Sequence, residues 1–340
     1  MRNRRPGALL LAWALVLATP AVTDAEFVSG WAVGLGGTIL HTGDGGVTWS
    51  PQNSGTSNPL YAVTFTDANN GWAVGQRVIL HTTDGGLAWA PQNPNFDFSL
   101  YAVTFIDANN GWAVGDGGAI RHTSDGGLTW VPQDSGEAAN DLKGVVFVGA
   151  DEGWAVGRRG TLLHTADGGL TWAPQNSGTP FDLNGVSFAD ANDGWAAGTA
   201  LIHTGDGGRT WAPQTANTPF TLSSVSFVDA NNGWAVGRSG AITRTANGGL
   251  KWAPQNSGTG EDLSSVSFIN ADDGWAVGSG GTIVHTADGG LTWAPETSGT
   301  ANNLTGVVFL APVPEPSSVA LFGVGIAALV AWRGAWRRAR

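Results

Sequence analysis

The chain has 340 residues, including 52 glycines and 17 tryptophans, and its formal net charge is −11. Glycine without a strict Gly-X-Y period excludes collagen, and a charged fraction of 13% with abundant tryptophan excludes a disordered chain. Cysteine is absent, which excludes disulfides, thiolate catalysis and cysteine-ligated metals.

The N-terminus has the organisation of a secretory signal peptide. Three arginines lie within the first five residues, residues 8–17 are apolar, and small residues follow at Ala21 and Ala25. This order predicts export by the general secretory route, with cleavage after either alanine. We therefore assign residues 1–25 to a signal peptide.

A phrase built on Gly-Trp recurs with a period of about 40 residues. Its seven tryptophans are Trp31, Trp72, Trp112, Trp154, Trp195, Trp234 and Trp275. Such a period, with strand-like content, is typical of four-stranded propeller blades. In the second repeat, the apolar pattern predicts strands over residues 60–65, 72–74, 78–82 and 89–92. The pair Asn70-Gly71 is a strong hairpin signal between the first two.

The ends of the repeat array are offset. Each repeat begins with a strand that ends in Val-x-Phe, but the unit at Trp31 has no such strand before it. The last such strand, residues 304–309, has no Gly-Trp unit after it. The offset predicts an all-β, seven-bladed β-propeller over residues 26–311, with four-stranded blades. Its ring is closed by the C-terminal strand joining the N-terminal blade, so that no edge stays open.

The second recurring phrase is Thr-x-Asp-x-Gly-x-Thr-Trp, the Asp-box, which we predict on the third hairpin of each blade. A turn aspartate accepts backbone N–H bonds, glycines supply positive φ, and the tryptophan buries about 150–250 Å². The predicted structural residues are Asp44, Asp84, Asp125, Asp167, Asp206, Asn247 and Asp288 in the turn, and Trp49, Trp89, Trp130, Trp172, Trp211, Trp252 and Trp293 after it. Ala88 replaces threonine in the second repeat, and Asn247 and Lys251 are the departures in the sixth.

The Gly-Trp-Ala-Val-Gly, Val-x-Phe and Asp-box phrases together, over residues 27–312, resemble the photosystem II stability/assembly factor family. The resemblance implies a protein-interaction or assembly scaffold, and members of that family are described as contacting a reaction-centre protein through arginines. Sialidases and xyloglucanase-type glycosidases also carry Asp-boxes, but not this full repeat.

The sequence predicts no catalytic residue, no metal site and no cofactor. Six repeats carry a histidine just before the Asp-box, and Arg244 takes the seventh place. The histidines are His41, His81, His122, His164, His203 and His285. Equivalent positions lie one per blade around a ring, so neither the histidines nor the Asp-box aspartates converge. Metal ligands need distances of roughly 2 Å, and glycosidase carboxylates need separations of about 5–10 Å.

Two other candidate features are assigned to structure. Tyr61 and Tyr101 share one position at the start of the first strand, which indicates packing rather than a nucleophile. The segment 190–194 is similar to a calcium loop but lacks the alternate-ligand spacing and the distal glutamate, which favours an Asx-type turn.

Charge distinguishes the two faces of the predicted propeller. Residues 26–311 hold 25 of the 27 acidic residues but nine of the 16 basic ones, which argues against a nucleic-acid partner. The first and third hairpin turns (residues 66–70 and 84–87 in the second repeat) share an acidic face, the turn face. The second turns and the blade-to-blade loops (residues 76–77 and 53–59) share the other, the loop face. Candidate binding residues near this face are Arg77, Lys143, Arg158, Arg159 and Arg238; the alternative is that they are solvated turn residues.

The C-terminus carries a motif, an apolar run and a basic cluster. Pro314, Glu315 and Pro316 precede apolar residues 319–332 and four arginines. The run is marginal for a membrane span, which needs about 20 residues, and the basic residues would stay cytoplasmic. Residues 312–340 resemble the PEP-CTERM sorting signal, in which the membrane protease exosortase is thought to cut near Pro-Glu-Pro. The alternative is a plain C-terminal anchor.

The sequence thus predicts an exported, non-catalytic propeller. Its precursor is expected in the periplasm, tethered to the inner membrane, and the mature form at the cell surface or in the extracellular matrix of a Gram-negative bacterium. Expected partners are exosortase, and either a protein or an extracellular polysaccharide. A scaffold is the first hypothesis. The alternatives are a glycan-binding module, a sialidase- or xyloglucanase-like glycoside hydrolase, and a stable spacer. The loop aromatics that would serve a glycan-binding module are Phe96, Phe98, Phe181 and Phe220.

Overall fold

The structure is a computed structural model that describes residues 28–92, 96–136 and 140–311. The signal peptide predicted over residues 1–25 lies outside the described residues, as do the sorting motif and membrane helix predicted within residues 312–340. The described residues form one compact unit. In the described part of the chain, no helix has the length and apolar character that a membrane crossing requires.

The described residues form seven antiparallel sheets of four strands each. The innermost strands are β4 (Leu60–Phe65), β8 (Leu100–Phe105), β12 (Leu142–Val148), β16 (Leu183–Phe188), β20 (Leu222–Phe227), β24 (Leu263–Phe268) and β28 (Leu304–Phe309). The second strands, which carry Gly-Trp, are β1 (Gly30–Gly34), β5 (Gly71–Gly75), β9 (Gly111–Gly115), β13 (Glu152–Gly157), β17 (Gly194–Gly198), β21 (Asn232–Gly237) and β25 (Gly274–Gly278).

The third strands are β2 (Ile39–Thr42), β6 (Val78–Thr82), β10 (Ile120–Thr123), β14 (Leu162–Thr165), β18 (Leu201–Thr204), β22 (Ala241–Ala246) and β26 (Ile283–Thr286). The outer strands are β3 (Ser50–Gln52), β7 (Ala90–Gln92), β11 (Val131–Gln133), β15 (Ala173–Pro174), β19 (Ala212–Gln214), β23 (Ala253–Asn256) and β27 (Ala294–Glu296). Short 3-10 turns between second and third strands are Leu35–Gly37, Asp116–Gly118, Arg158–Gly160, Arg238–Gly240 and Ser279–Gly281. The outer strand of the second repeat begins at Ala90, one residue later than predicted, because Trp89 belongs to the Asp-box turn.

The prediction of a closed seven-bladed propeller is confirmed. The innermost strands contact one another in sequence order, and β28 contacts both β24 and β4, so the ring is complete. The strand β28 pairs with β1 in antiparallel register, from Gly30 opposite Phe309 to Gly34 opposite Leu304. Blade 1 is therefore β28 with β1–β3, and blades 2 to 7 are β4–β7, β8–β11, β12–β15, β16–β19, β20–β23 and β24–β27 in turn.

The Gly-Trp phrase builds the interface between successive blades. Each of its tryptophans is at most 2% exposed and stacks on the phenylalanine that ends, or nearly ends, the inner strand of the next blade. The ring centroids lie 3.5–3.9 Å apart, and the stack of Trp275 on Phe309 closes the circle. Glycine is required before the tryptophan, since a Cβ on Gly71 would lie 2.3 Å from the ring of Phe65. The phrase recurs because every blade repeats the same contact.

Candidate functional site

The Asp-box turn is a closed network of hydrogen bonds. In blade 1, the Thr42 hydroxyl donates to Oδ1 of Asp44 at 2.7 Å and accepts the Gly46 N–H at 2.9 Å. The other oxygen of Asp44 accepts the Thr48 hydroxyl at 2.6 Å, and Oδ1 also accepts the Thr48 N–H. The bonds from Thr48 hold the pKa of the Asp44 carboxyl below its usual value. The carboxylate is thus engaged within its own turn.

The Asp-box tryptophan also joins neighbouring blades through a residue that sequence reasoning missed. In blade 2, the Trp89 indole N–H donates to Oε1 of Gln52 in the outer strand of blade 1 at 3.0 Å. The amide of Gln52 in turn donates to the carbonyl of Gly85 at 2.9 Å. The available signal was the recurrence of Ala-Pro-Gln or a close variant at the end of each repeat. In blade 7 the position is Glu296, which accepts the Trp49 indole N–H at 2.9 Å.

The repeat-position histidines pack in their own blades. His81 stacks on Trp72 with ring centroids 4.6 Å apart, and Arg244 lies over Trp234 at 5.4 Å in blade 6. Burial lowers the pKa of the imidazoles of His41, His81, His122 and His285. Across residues 28–92, 96–136 and 140–311, no group of three or more histidine, aspartate or glutamate side chains could hold a metal ion.

The second residue of each inner strand lines a central cavity of about 240 Å³. These residues are Tyr61, Tyr101, Lys143, Asn184, Ser223, Ser264 and Thr305. They lie at the start of their strands, directly after the blade-to-blade loops, so they surround the mouth of the channel on the loop face. All seven are polar, and their identity changes between repeats while the leucine before them does not. We call this set the channel-mouth ring.

Lys143 is the charged member of the channel-mouth ring. Its Nζ lies 3.2 Å from the ring centroid of Tyr101 and 3.4 Å from Oδ2 of Asp141. Arg158 reaches the same Asp141 oxygen, with an Nε distance of 3.2 Å. Burial lowers the pKa of the Lys143 ammonium, and Asp141 opposes that shift. The structure therefore brings together two of the five predicted binding residues.

Tyr101 has a polar partner as well as a packing role. Its hydroxyl donates to Oδ1 of Asp116 at 2.5 Å, across the turn that follows the Gly-Trp strand of blade 3. Burial and the bond to Asp116 raise the pKa of the Tyr101 phenol. Asp141 also accepts the N–H of Gly117, so this acid links blades 3 and 4. Sequence reasoning could not find this cluster, because its members come from two repeats.

The four predicted arginines lie on three blades of the loop face. Arg77 and Arg159 occupy equivalent left-handed positions, both with φ of 57°, where blades 1, 3 and 7 have glycine. The Arg77 guanidinium pairs with Asp97 at 2.6 Å, at an exposed position. Among the described residues, the side chains of Arg159 and Arg238 have no ion-pair partner. Blades 2, 4 and 6 therefore each present an arginine, but no contact joins the three.

The remaining candidates have separate surroundings. Oδ1 of Asp190 accepts the N–H groups of Asn192 and Asp193 at 2.7 and 2.9 Å, which is an Asx-type turn. The rings of Phe96 and Phe98 stack on each other at 4.3 Å. Phe181 and Phe220, 54% and 44% exposed, lie in the loops before blades 5 and 6.

The fold and its turns define an Asp-box β-propeller, and comparison with known families identifies its kind. The family model described as "Photosynthesis system II assembly factor YCF48" matches residues 12–93, 52–132, 87–176, 136–220 and 213–306. The chain belongs to this family, which confirms the resemblance found in the sequence. A second family model, the PEP-CTERM protein-sorting motif, matches residues 312–338 and indicates export and sorting. Among curated proteins, none matches the sequence.

Solved structures share the architecture. "YCF48 bound to D1 peptide" is 23% identical with a TM-score of 0.65, over 77% of this chain and 91% of that one. "YCF48 from Cyanidioschyzon merolae" is 22% identical with a TM-score of 0.59, over 72% and 87%. "Streptogramin B lyase structure" is 13% identical with a TM-score of 0.60, over 81% and 89%. Identities this low establish the fold alone. Because a lyase has the same fold, the fold does not show whether this protein is an enzyme.

Proposed function

We propose that this protein is an exported, non-catalytic assembly scaffold that binds a protein segment at the channel mouth on the loop face. The observation that carries the proposal is the variation within the channel-mouth ring. The turn face repeats nearly the same Asp-box seven times, whereas one loop-face position holds tyrosine, lysine, asparagine, serine or threonine. Recognition of one partner requires different groups at different places, and a surface of seven equal turns does not supply them.

The arginines support the same face. An L-residue in the left-handed region costs roughly 1–2 kcal/mol relative to its preferred conformations, and glycine avoids that cost. Arg77 and Arg159 stand where three other blades have glycine. Blade 6 has the left-handed Ser239 there, and Arg77 already pairs with Asp97. The guanidinium open to a partner is therefore that of Arg159, and a guanidinium binds carboxylates in a bidentate manner. The proposed partner segment is therefore a carboxylate-bearing one.

The sorting signal supports the proposed location. Residues 1–25 would be removed during export, and residues 319–332 would hold the precursor in the inner membrane. Exosortase would then act near Pro314-Glu315-Pro316 and pass the propeller, residues 26–311, to the cell surface or matrix. A partner at the cell surface or in the matrix could then bind the loop face directly.

A pull-down with purified residues 26–311 tests the proposal. The bait is incubated with envelope and matrix extract from the producing bacterium, after treatment of the extract with protease or with periodate, which destroys glycans. Captured proteins are identified by mass spectrometry, and we expect their capture to be lost after protease and kept after periodate. Loss after periodate alone would overturn the scaffold and support the glycan-binding alternative.

Two variants locate the surface. Lys143→Ser with Arg158→Ser should reduce capture at least about tenfold, since both groups lie at the channel mouth. Arg209→Ser removes one positive charge from the turn face and should leave capture unchanged. Equal capture by all three proteins would place the partner elsewhere.

A further inference from the structure

Blade 6 departs from the repeat at three places at once. Arg244 replaces histidine, Asn247 replaces the Asp-box aspartate, and Lys251 replaces its threonine. The structure places all three on one groove of about 470 Å³, between the outer strand β23 and the Asp-box turn of blade 7. Each change makes the groove less negative in a chain whose net charge is −11. No acidic side chain is among the described residues that line it.

Arg244 is a cation without a counterion in the described structure. Its guanidinium lies over the Trp234 ring, as histidine does in other blades. Its Nη2 lies close to the Asp-box turn of blade 7, since a Cβ added to Gly289 would be 3.2 Å from that nitrogen. Its Nε is buried and has no hydrogen-bond partner. In blade 4 the acid Glu152 contacts His164 at 2.7 Å, and the residue of blade 6 at the position equivalent to Glu152 is the neutral Asn232. A partly buried guanidinium without an acid favours an anionic ligand.

Asn247 and Lys251 change the Asp-box in a related way. Oδ1 of Asn247 still accepts the Lys251 N–H at 2.9 Å, so the turn keeps its shape. In blade 3, the second oxygen of Asp125 accepts the Thr129 hydroxyl at 2.7 Å. Blade 6 has no such hydroxyl, and Nδ2 of Asn247 donates to no described residue. The groove thus offers a guanidinium, an ammonium and a free amide donor.

We propose that this groove binds a uronate unit of an acidic polysaccharide. The carboxylate lies between Arg244 and Lys251, and the ring hydroxyls are bound by the side-chain amides of Asn247 and Asn256. A volume of about 470 Å³ is in the range of small-ligand pockets and accommodates one or two sugar rings. Leu291, 78% exposed at the groove wall, offers apolar surface to a pyranose face.

The outer strand argues against an extended peptide in this groove. Pro254 lies in the middle of β23 and has no N–H, so the strand cannot pair continuously with a peptide backbone. The groove belongs to the turn face and the outer rim of the ring. It is therefore separate from the loop-face site, and either proposal can fail alone.

Calorimetric titration with trigalacturonate tests the site. We expect binding to the protein, at least about tenfold weaker binding of the methyl-esterified trimer, which lacks the carboxylate charge, and weaker binding of triglutamate. The variant Arg244→His, Asn247→Asp, Lys251→Thr restores the residues that other blades carry, so it should fold and should lose at least about tenfold in affinity.

Controls distinguish the alternatives. Thr292→Lys places a lysine at the equivalent position of blade 7 and should not strengthen binding, because His285 there faces Asp273 at 3.7 Å. The melting temperature of each variant confirms folding, and Lys251→Thr alone serves if the triple variant is unstable. Undetectable binding, or binding unchanged in the restored variants, overturns the proposal. Triglutamate binding as tight as trigalacturonate overturns the saccharide and supports an acidic peptide.

Discussion

At the scale of single residues, Glu296 is the distinctive group of the ring closure. It stands at the position where the other six blades have glutamine, and its side chain is 12% exposed. Burial raises the pKa of its carboxyl to about 7, although the bond from the Trp49 indole opposes the shift. The interface between blades 7 and 1 is therefore sensitive to pH in a range where a glutamine interface is not.

The variant Glu296→Gln should remove this sensitivity. With a folded pKa of about 7 and an ordinary value of 4.5, the folded state holds the proton more tightly. The contribution of Glu296 to stability is full below pH of about 4.5 and is lost as pH rises through about 7. We expect Glu296→Gln to raise stability at pH 8 by roughly 2–3 kcal/mol at most, with little change at pH 4.5. Melting temperatures of both proteins at the two pH values measure this.

The matched control is Gln52→Glu, which places the same carboxyl between blades 1 and 2. It should introduce a loss of stability at pH 8 that is absent at pH 4.5. His81 and His122, whose pKa values are lowered by burial, act in the opposite direction but are common to all three proteins. His285 is different, because its Nδ1 lies 3.5 Å from Oε1 of Glu296 and loses that neighbouring carboxyl in Glu296→Gln. An equal difference between wild type and Glu296→Gln at both pH values would contradict the assignment.

At the scale of the element, the Asp-box hairpin is held by its own side chains. The hydroxyl of the second threonine adds one bond to the turn aspartate in five blades, of which Thr129 to Asp125 at 2.7 Å is an example. Blade 2 lacks this bond because it has Ala88. Its turn nevertheless keeps the bond from the Ala88 N–H to Asp84 at 2.9 Å. The backbone bonds therefore set the turn, and the hydroxyl adds to its stability.

A reciprocal pair of substitutions measures that addition. Thr129→Ala should lower the free energy of unfolding by about 0.5–1 kcal/mol, since an exposed hydrogen bond contributes at the low end of the usual range. Ala88→Thr should raise it, because the hydroxyl gains the free oxygen of Asp84. Thermal or chemical denaturation of the two variants gives the values. Changes of the same sign in both variants would contradict the account.

At the scale of the whole molecule, stability depends on closure of the ring. Every interface repeats the stack of tryptophan on phenylalanine, and the interface between blades 7 and 1 depends on β28 for its phenylalanine. Phe309 also meets the Trp49 ring edge-on at 5.7 Å. Without β28, the edge of β1 that pairs with it and the side of β24 that packs against it would be exposed to solvent.

Truncation before residue 304 should therefore lower the melting temperature sharply. Loss of Phe309 alone is comparable to a phenylalanine-to-alanine change of about 3–5 kcal/mol, which corresponds to a fall of about 10 °C or more. The exposed edge should also promote self-association, visible in light scattering. A chain ending at residue 311 keeps β28 and is the control. If both truncated chains melt together, β28 does not close the ring.

The architecture could be predicted because each blade is specified by residues close together in the sequence, and the same pattern is repeated seven times. The strands, the Asn-Gly and Asp-box turns and the offset of residues 304–309 each depend on residues close in sequence, and seven copies made the pattern unmistakable. That the histidines do not converge could also be predicted, because equivalent residues of different blades lie far apart around a ring.

The contacts between repeats were decided by the tertiary structure. Lys143 meets the ring of Tyr101, Asp141 bridges to Gly117, and Glu296 meets Trp49 from the other end of the chain. The number of blades, their turns and the family could be read from the sequence, because each depends on phrases of residues that are close together in the chain and recur seven times. The tertiary structure decided the channel-mouth ring, the raised pKa of Glu296 and the groove at Arg244, because each depends on how the side chains of one blade face those of the next.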